Sequence, residues 1–247
     1  MQKQGRRIHD KLRLLIMRAI LEFISNPKEY YTKQSQLKKG LKPFFLTLLS
    51  SILLLYITSI IFNVIGIEAY NTQLEQGRMS KLAILVTLIL APLHEELLFR
   101  LPLILNVKNI TIGISLLIGT VISLILTQYL GSYSYQGIPL FQILSLSTAI
   151  LIFLALKKLI TKKEQPILLF LNKRYNLFFF FLLFLFTSSH YLNYRYQTLD
   201  TTYIIYLFVI YLIYTYSLSF IRITLGIKYS IALHFIYLTP AIISTLL

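Results

Sequence analysis

Two adjacent glutamates and an arginine, Glu95, Glu96 and Arg100, lie within the apolar stretch APLHEELLFRLPL. A charged side chain at membrane depth costs about 3 kcal/mol or more and usually marks a functional site. Because Glu96 and Arg100 are four residues apart, they share a helix face, and the spacing predicts an ion pair between them. Glu95 is turned by about 100° from Glu96 on the same helix. It is therefore expected to face a cavity.

Two neighbouring carboxylates in an apolar environment titrate at different pH values, so one can act as a base while the other stays ionised beside Arg100. Hydrolysis of an amide by an activated water needs such a pair. His190 and His234, which lie in later apolar segments, are candidates to polarise the water or to donate to an oxyanion. A structural interpretation stays open, in which Glu96 and Arg100 only join helices and His190 belongs to an interfacial belt of tyrosines.

Several other chemistries lack their residues in this sequence. HEELL has no second histidine to complete the zinc-binding H-E-x-x-H pattern. No aspartate falls within a predicted span, and the absence of cysteine excludes disulfides, thiolate metal sites and cysteine catalysis. No metal and no cofactor are expected. His94 adjoins the glutamates but has no chemical role that the sequence specifies, and it is interpreted as structural.

The elements that carry these residues are predicted to be transmembrane helices. The chain of 247 residues is 56% hydrophobic and 13% charged, with a mean hydropathy of +0.70. Such a composition is typical of a polytopic membrane protein. Apolar runs of about 20 residues recur after residue 43 and predict an all-α polytopic transmembrane helix bundle of about seven spans. These spans are expected at about 44–66, 81–105, 109–130, 137–156, 175–193, 202–221 and 229–246.

The second span can be interpreted in two ways. Pro92 and Pro102 would bend a continuous helix, or Pro92 would open a new one, since proline is tolerated in the first turn. Drawn as straight spans, the sequence places Glu95 toward the inner side of the membrane and His190 near the outer end of the fifth span.

Residues 1–43 are predicted to form a basic N-terminal arm, separate from the transmembrane domain 44–247. The stretch 12–24, LRLLIMRAILEFI, predicts an amphipathic helix at the cytoplasmic interface, with a solvated basic arm as the alternative. Twenty basic residues fall on the predicted inner side and three on the outer side. This bias predicts a cytoplasmic amino terminus and an outer carboxyl terminus.

The partners implied by the formal charge of +15 are anionic lipids, because the basic residues flank spans. Nucleic acid is not expected as a partner, since no polar domain interleaves basic residues with exposed aromatics. The abundance of Lys, Ile, Tyr and Phe, without Trp or Cys, is typical of an AT-rich bacterial genome. The expected location is a bacterial inner membrane.

On these residues, the chain resembles the CAAX protease and bacteriocin-processing (CPBP, or Abi) family of intramembrane glutamic proteases. The first motif of that family, E-E-x-x-x-R, is met by Glu95, Glu96 and Arg100, with Ala-Pro upstream and Leu-Leu-Phe before the arginine. Its second motif, F-x-x-x-H, is matched by FTSSH, residues 186–190. The resemblance covers about the last two-thirds of the chain.

The third motif of the family, a histidine four residues before an asparagine, is matched in half. His234 has the expected lead-in, but Leu238 stands where the asparagine is expected. The missing asparagine removes one oxyanion donor, and Asn193, Tyr237 or Thr239 are candidates to replace it.

The resemblance implies an intramembrane endopeptidase that cleaves a peptide or protein substrate at the membrane without requiring a metal. Glu95 and His190 would activate the attacking water, Glu96 and Arg100 would support the site, and His234 would help to form the oxyanion hole. Two alternatives remain open. One is a non-catalytic membrane partner or immunity-type member of the same family, and the other is a proton-coupled transporter that uses the carboxylates as a relay.

Overall fold

A computed structural model describes residues 21–33, 42–64, 89–129, 140–191 and 201–246. These residues are almost entirely helical and include no strand, so the predicted all-α class is confirmed for this part of the chain. Four helices are long and apolar enough to cross a membrane, and a bent helix pair adds a possible fifth span. The fold is therefore compatible with an integral membrane protein. The four are Pro43–Val64, Val107–Thr127, Ile143–Lys162 and Thr201–Leu225.

Eight helices and one irregular helical segment are numbered here along the described ranges. The irregular part, residues 89–103, carries the two glutamates and is called the glutamate segment. The helices are α1 (Pro27–Lys33), α2 (Lys42–Val64), α3 (Val107–Tyr129), α4 (Leu140–Lys162), α5 (Glu164–Lys173), α6 (Tyr175–Tyr191), α7 (Thr201–Leu225) and α8 (Ile227–Leu246).

Two of the predicted spans differ from the observed elements. The prediction of one continuous helix over 81–105 is wrong for residues 89–105, the part that the structure describes. The backbone changes helix type within the glutamate segment and is no longer helical after residue 103. Residues 157–174, predicted as an inner loop, are helical: α4 continues to Lys162, and α5 follows at an 83° bend to α6. The amphipathic stretch 12–24 lies mostly outside the described residues, as do 81–88 and the predicted outer loops.

The described part of the N-terminal arm packs against α6 and α7. Phe23 is buried, with its ring 5.3 Å from the ring of Phe179 and 5.4 Å from that of Phe220, both edge-on. Asn176 accepts a hydrogen bond from the backbone N–H of Lys28 at 2.9 Å and donates one to Asn26 at 3.1 Å. Aromatic packing and a paired amide therefore hold residues 21–33 against the start of α6.

Gly226 forms the corner between α7 and α8. Its φ of +103° lies in the left-handed region, and its N–H bonds to the carbonyls of Ile221 and Arg222 at 3.2 and 3.1 Å, which ends α7. The corner turns α8 back along α7, so that the hydroxyl of Ser230 donates to the carbonyl of Leu218 at 3.1 Å. No atom lies within 4 Å of an added Cβ, so space does not require glycine here. Glycine is required because of the positive φ.

Gly226→Ala is expected to lower the free energy of unfolding by about 1–2 kcal/mol, the cost of placing an L-residue in the left-handed region. Gly226→Asn is the matched control and is expected to lose less, because asparagine tolerates this region better than alanine. Unfolding of the purified protein in mixed micelles, titrated with denaturing detergent, measures both variants. Equal stability of the alanine variant and the parent chain would contradict the role given to this corner.

Candidate active site

The glutamate segment changes helix type at the proposed site. It is α-helical over residues 89–95, forms a π-helical turn over Glu96–Arg100 and ends in a 3-10 turn over Leu101–Leu103. Within the π turn, the backbone N–H of Leu101 bonds to the carbonyl of Glu96, five residues earlier. Pro102 has no N–H to continue an α-helical ladder. Single π turns occur within helices most often at functional sites.

A connection of three residues then starts α3. Asn106 is placed as its N-cap, because its side-chain oxygen accepts the backbone N–H of Asn109 at 2.8 Å. The side-chain amide of Asn109 donates to the carbonyl of Ile104 at 3.0 Å. Two asparagines thus fix the turn that separates the glutamate segment from α3.

Glu96 is completely enclosed and joins the glutamate segment to α8. Its Oε1 lies 2.9 Å from Nδ1 of His234 and 3.7 Å from Nε of Arg100, and its side chain has no exposed surface. Its other oxygen, Oε2, accepts a hydrogen bond from the hydroxyl of Ser230. The pair predicted from the i, i+4 spacing is therefore present, and a buried carboxylate is bound by three neighbouring side chains.

Arg100, the ion-pair partner of Glu96, is also buried. Its guanidinium carbon sits 3.6 Å from the ring centroid of Phe186, and Nη2 donates to the hydroxyl of Thr215 at 3.2 Å. Its Nε and Nη1 have no hydrogen-bond partner among the described residues. The cation is thus held by its carboxylate and by a ring face in a water-poor environment.

Arg222 binds the end of the π turn from α7. Its Nε donates to the carbonyl of Arg100 at 3.1 Å, and its Nη2 lies 3.4 Å from the carbonyl of Leu101. A π turn that ends at a 3-10 turn leaves carbonyls without helical partners, and a buried guanidinium satisfies them. The predicted span 202–221 ended just before Arg222, but α7 continues to Leu225 and the side chain of Arg222 is buried.

Glu95 faces two histidine rings from different helices. Its Oε2 lies 3.7 Å from Nε2 of His190 on α6 and 3.6 Å from Nε2 of His234 on α8. These separations exceed a direct hydrogen bond and are of the size that a bridging water spans. This oxygen has no hydrogen-bond partner among the described residues, although 23% of the Glu95 side chain is exposed.

The orientation of both rings is fixed through their other nitrogen. Nδ1 of His190 lies 2.9 Å from the carbonyl of Phe186, and Nδ1 of His234 lies 2.9 Å from the carboxylate of Glu96. Since a carbonyl and a carboxylate can only accept, each Nδ1 carries the proton. Nε2 of each ring is therefore left to act toward Glu95. The ring of His190 is held further by tilted contacts with the rings of Phe186 and Tyr211, each with its centroid 4.3 Å away.

His94 belongs to a different cluster. Its Nε2 lies 2.8 Å from the hydroxyl of Ser145 on α4 and 3.1 Å from that of Thr120 on α3. All three side chains are at least partly buried, and the hydroxyls lie 3.1 Å apart. Polar groups satisfied in this way anchor the glutamate segment to the α3–α4 pair.

The structure brings the five predicted site residues together from three elements: the glutamate segment, α6 and α8. Straight spans placed Glu95 toward the inner side and His190 near the outer end of the fifth span, and that placement is wrong, because the two side chains lie 3.7 Å apart. The glutamate segment runs antiparallel along α6, so that the carbonyl of Leu103 meets the hydroxyl of Tyr175 at 2.9 Å. Further along both elements, Arg100 meets Phe186 and Glu95 meets His190.

The residues considered as substitutes for the missing asparagine are bound elsewhere. The hydroxyl of Tyr237 lies 2.5 Å from that of Ser51, and Thr239 donates to the carbonyl of Phe235 at 3.1 Å. Asn193 lies outside the described residues.

Three residues of this cluster were not predicted from the sequence. Ser230 precedes His234 by one helical turn, and that spacing alone could have indicated it. Thr215 and Arg222 carry no comparable signal, because both reach the glutamate segment across more than a hundred residues of chain.

In the ranges that the structure describes, no group of three or more histidine, aspartate or glutamate side chains is arranged to hold a metal ion. Comparisons with protein-family models, with curated proteins and with solved structures gave no significant match.

Proposed function

We propose that this chain is an intramembrane glutamic endopeptidase, a hydrolase of the CPBP type, that cleaves a peptide bond in a membrane-associated substrate. One observation carries the proposal: the unpaired Oε2 of Glu95 faces Nε2 of His190 at 3.7 Å and Nε2 of His234 at 3.6 Å. One carboxylate oxygen and two imidazole nitrogens from three separate elements converge there at water-bridging separations. The proposed family membership rests on two matched sequence motifs and half of a third.

The number of donors and acceptors supports a division of labour in this group. A water molecule among the three atoms has two O–H bonds to donate, while a carboxylate and two Nε2 lone pairs all accept. All three atoms can bond to that water only when one histidine carries a proton at Nε2 and donates. We assign this proton to His234, because its Nδ1 already donates to the Glu96 carboxylate, which stabilises an imidazolium.

The reaction then proceeds with Glu95 and His190 acting on the water. Its oxygen attacks the carbonyl carbon of the peptide bond while its proton passes to Glu95 as general base. The Nε2–H of His234 donates to the oxygen that becomes negatively charged. The C–N bond breaks as the protonated Glu95 returns that proton to the leaving amine.

Glu96, Arg100 and Ser230 support this chemistry without contacting the substrate. Glu96 fixes the orientation of His234, as the carboxylate of a catalytic triad does for its histidine. Arg100 holds Glu96 ionised in a buried position, and the hydroxyl of Ser230 fixes its second oxygen. These three are positioning residues.

The proposed setting is a bacterial inner membrane crossed about seven times, with the amino terminus in the cytoplasm. The apolar helices and the excess of basic residues on the predicted inner side support this topology. The proposed partners are the lipid bilayer and a peptide or protein substrate. No metal, organic cofactor or nucleic acid takes part in the proposal.

A non-catalytic membrane protein of the same fold is the second candidate, and a specific observation favours it. Leu238 cannot donate a hydrogen bond from its side chain, and Tyr237 and Thr239 are engaged elsewhere. In that case the glutamates, the arginines and the histidines would only hold helices together.

Replacement of His190 by alanine separates the two candidates. In vesicles that contain membrane-anchored peptides, the parent chain is expected to release products that mass spectrometry identifies, and His190→Ala is expected to lower the rate by about 10²-fold or more. Ser189→Ala is the matched control, since its hydroxyl only bonds to the carbonyl of Phe186. No cleavage by the parent chain would favour the non-catalytic protein, whereas equal loss in both variants would remove His190 from the proposed mechanism. Inhibition by chelators would favour a metal mechanism.

A further inference from the structure

An apolar cleft of about 510 Å³ lies outside the glutamate site, on the side of the glutamate segment that faces α3, α5 and α6. Its volume falls within the range of about 300–1,000 Å³ that is typical of ligand pockets. Its walls are almost wholly hydrocarbon. They include Leu98 and Pro102 of the glutamate segment, Ile114 of α3, Phe170 of α5 and Phe181 of α6.

The bend between α5 and α6 opens this cleft. The two helices diverge by 83°, so α5 does not pack along α6, and no residue of α5 is buried. Ile167, Phe170 and Leu171 nevertheless line the cleft from one face of α5. An apolar helix face that borders a cavity and is not covered by protein fits a hydrocarbon group and disfavours a polar one.

The cleft has a single charged side chain in its lining, Lys163, at the junction of α4 and α5. Its side chain is exposed and forms no ion pair within the described residues, Glu164 included. A separate pocket of about 320 Å³ lies at the opposite end of α5. This pocket is basic, and its lining includes Lys28, Lys173 and Arg174. The apolar face of α5 therefore lies between Lys163 at one end and this group of three cations at the other.

The position of these cations matches the predicted topology. The stretch 157–174, from the last turns of α4 to the residue before α6, contains six basic residues and belongs to the predicted cytoplasmic side. Anionic lipids are concentrated in that leaflet, and basic pockets between helices on that side bind their head groups. The six are Lys157, Lys158, Lys162, Lys163, Lys173 and Arg174.

We propose that the cleft is a binding site for an anionic phospholipid, with one acyl chain between α3, α5 and α6 and the phosphate paired with Lys163. A hydrocarbon chain fits the walls, because they offer almost no hydrogen-bond partner to a polar ligand. A negative head group fits the single cation at the edge of the cleft. This site is independent of the proposed peptidase chemistry, so each can fail without the other.

The charge is tested with the Lys163→Gln variant and the matched control Lys162→Gln, whose side chain does not line the cleft. Each protein is reconstituted in vesicles of equal phosphatidylglycerol and phosphatidylcholine and extracted in mild detergent. Native mass spectrometry then measures the retained lipid. The parent chain and Lys162→Gln are expected to retain phosphatidylglycerol preferentially, and Lys163→Gln is expected to reduce that preference about fivefold. Equal retention of both lipids by the parent chain, or equal effects of the two substitutions, would overturn the site.

The apolar wall is tested separately with Phe170→Ser and the control Leu169→Ser. Both side chains are exposed on α5, at 58% and 67%, so neither substitution disturbs the protein core. Only Phe170 lines the cleft. Phe170→Ser is expected to lower lipid retention severalfold, because it removes apolar surface that the acyl chain covers. If the two variants retain equal amounts of lipid, the acyl chain does not occupy the cleft.

Discussion

Glu95→Gln is expected to lower the rate of peptide hydrolysis by about 10²–10⁴-fold, the contribution of a positioned general base. The amide of glutamine keeps the size of the side chain but cannot take a proton from water. The fold is expected to survive, because Oε2 of Glu95 has no hydrogen-bond partner to lose. An amide can even donate to Nε2 of His190 where the carboxylate cannot. The stability of this variant is therefore expected to equal or exceed that of the parent chain.

The comparison for this variant is Glu164→Gln, which also removes one negative charge but does so at the start of α5. Cleavage rates in vesicles and unfolding in mixed micelles are measured for both variants. Full activity of a folded Glu95→Gln protein would reject Glu95 as the base. An unfolded Glu95→Gln protein would assign the carboxylate to the stability of the helix bundle.

Arg100→Met is expected to lower the free energy of unfolding by about 3–5 kcal/mol, because it leaves the enclosed Glu96 without its principal counter-charge. Methionine keeps an apolar stem over the ring of Phe186, so the loss reports on charge more than on packing. Titration with a denaturing detergent in mixed micelles measures the change. Arg174→Met is the control, since that guanidinium is exposed and lies 5.1 Å from the ring of Phe170.

The double variant Glu96→Gln/Arg100→Met isolates the contribution of the pair. A neutral amide still bonds to Ser230, and the double variant is expected to be more stable than Arg100→Met alone. A loss in Arg100→Met no larger than that in Arg174→Met would show that water or His234 compensates for the charge of Glu96. The ion pair would then not be the central support of the site.

The local parts of the site were predictable from sequence, since they depend on spacing along one helix. Glu96 and Arg100 face each other because four residues return the chain to the same side, whichever protein surrounds them. The apolar runs likewise predicted the helices, since in lipid each backbone polar group must bond within its own segment. The catalytic roles of Glu95, His190 and His234 stay predictions.

The parts that were not predicted depend on distant contacts or on mixed composition. The π turn is satisfied by Arg222, which lies 122 residues after Arg100 and looks like an ordinary basic residue at a span end. Helix α5 resembles a loop in the sequence because charged residues occupy both of its ends. Together with α6 it is long and apolar enough to cross a membrane, but the two helices are bent by 83°. Straight spans also could not show that Glu95 lies level with His190 along α6.

The π turn also limits how the length of this part of the chain can change during evolution. Each residue of a helix rotates the following side chains by about 100°. Loss of one residue between Glu96 and Arg100 would restore an ordinary helical turn, and Glu95 would no longer point toward the histidines while Arg100 stayed against Phe186. The segment can therefore accept many substitutions, such as one apolar residue for another at Leu97, but no insertion or deletion. Among descendants of this chain, the residue count between the glutamates and the arginine should vary less than the residues themselves.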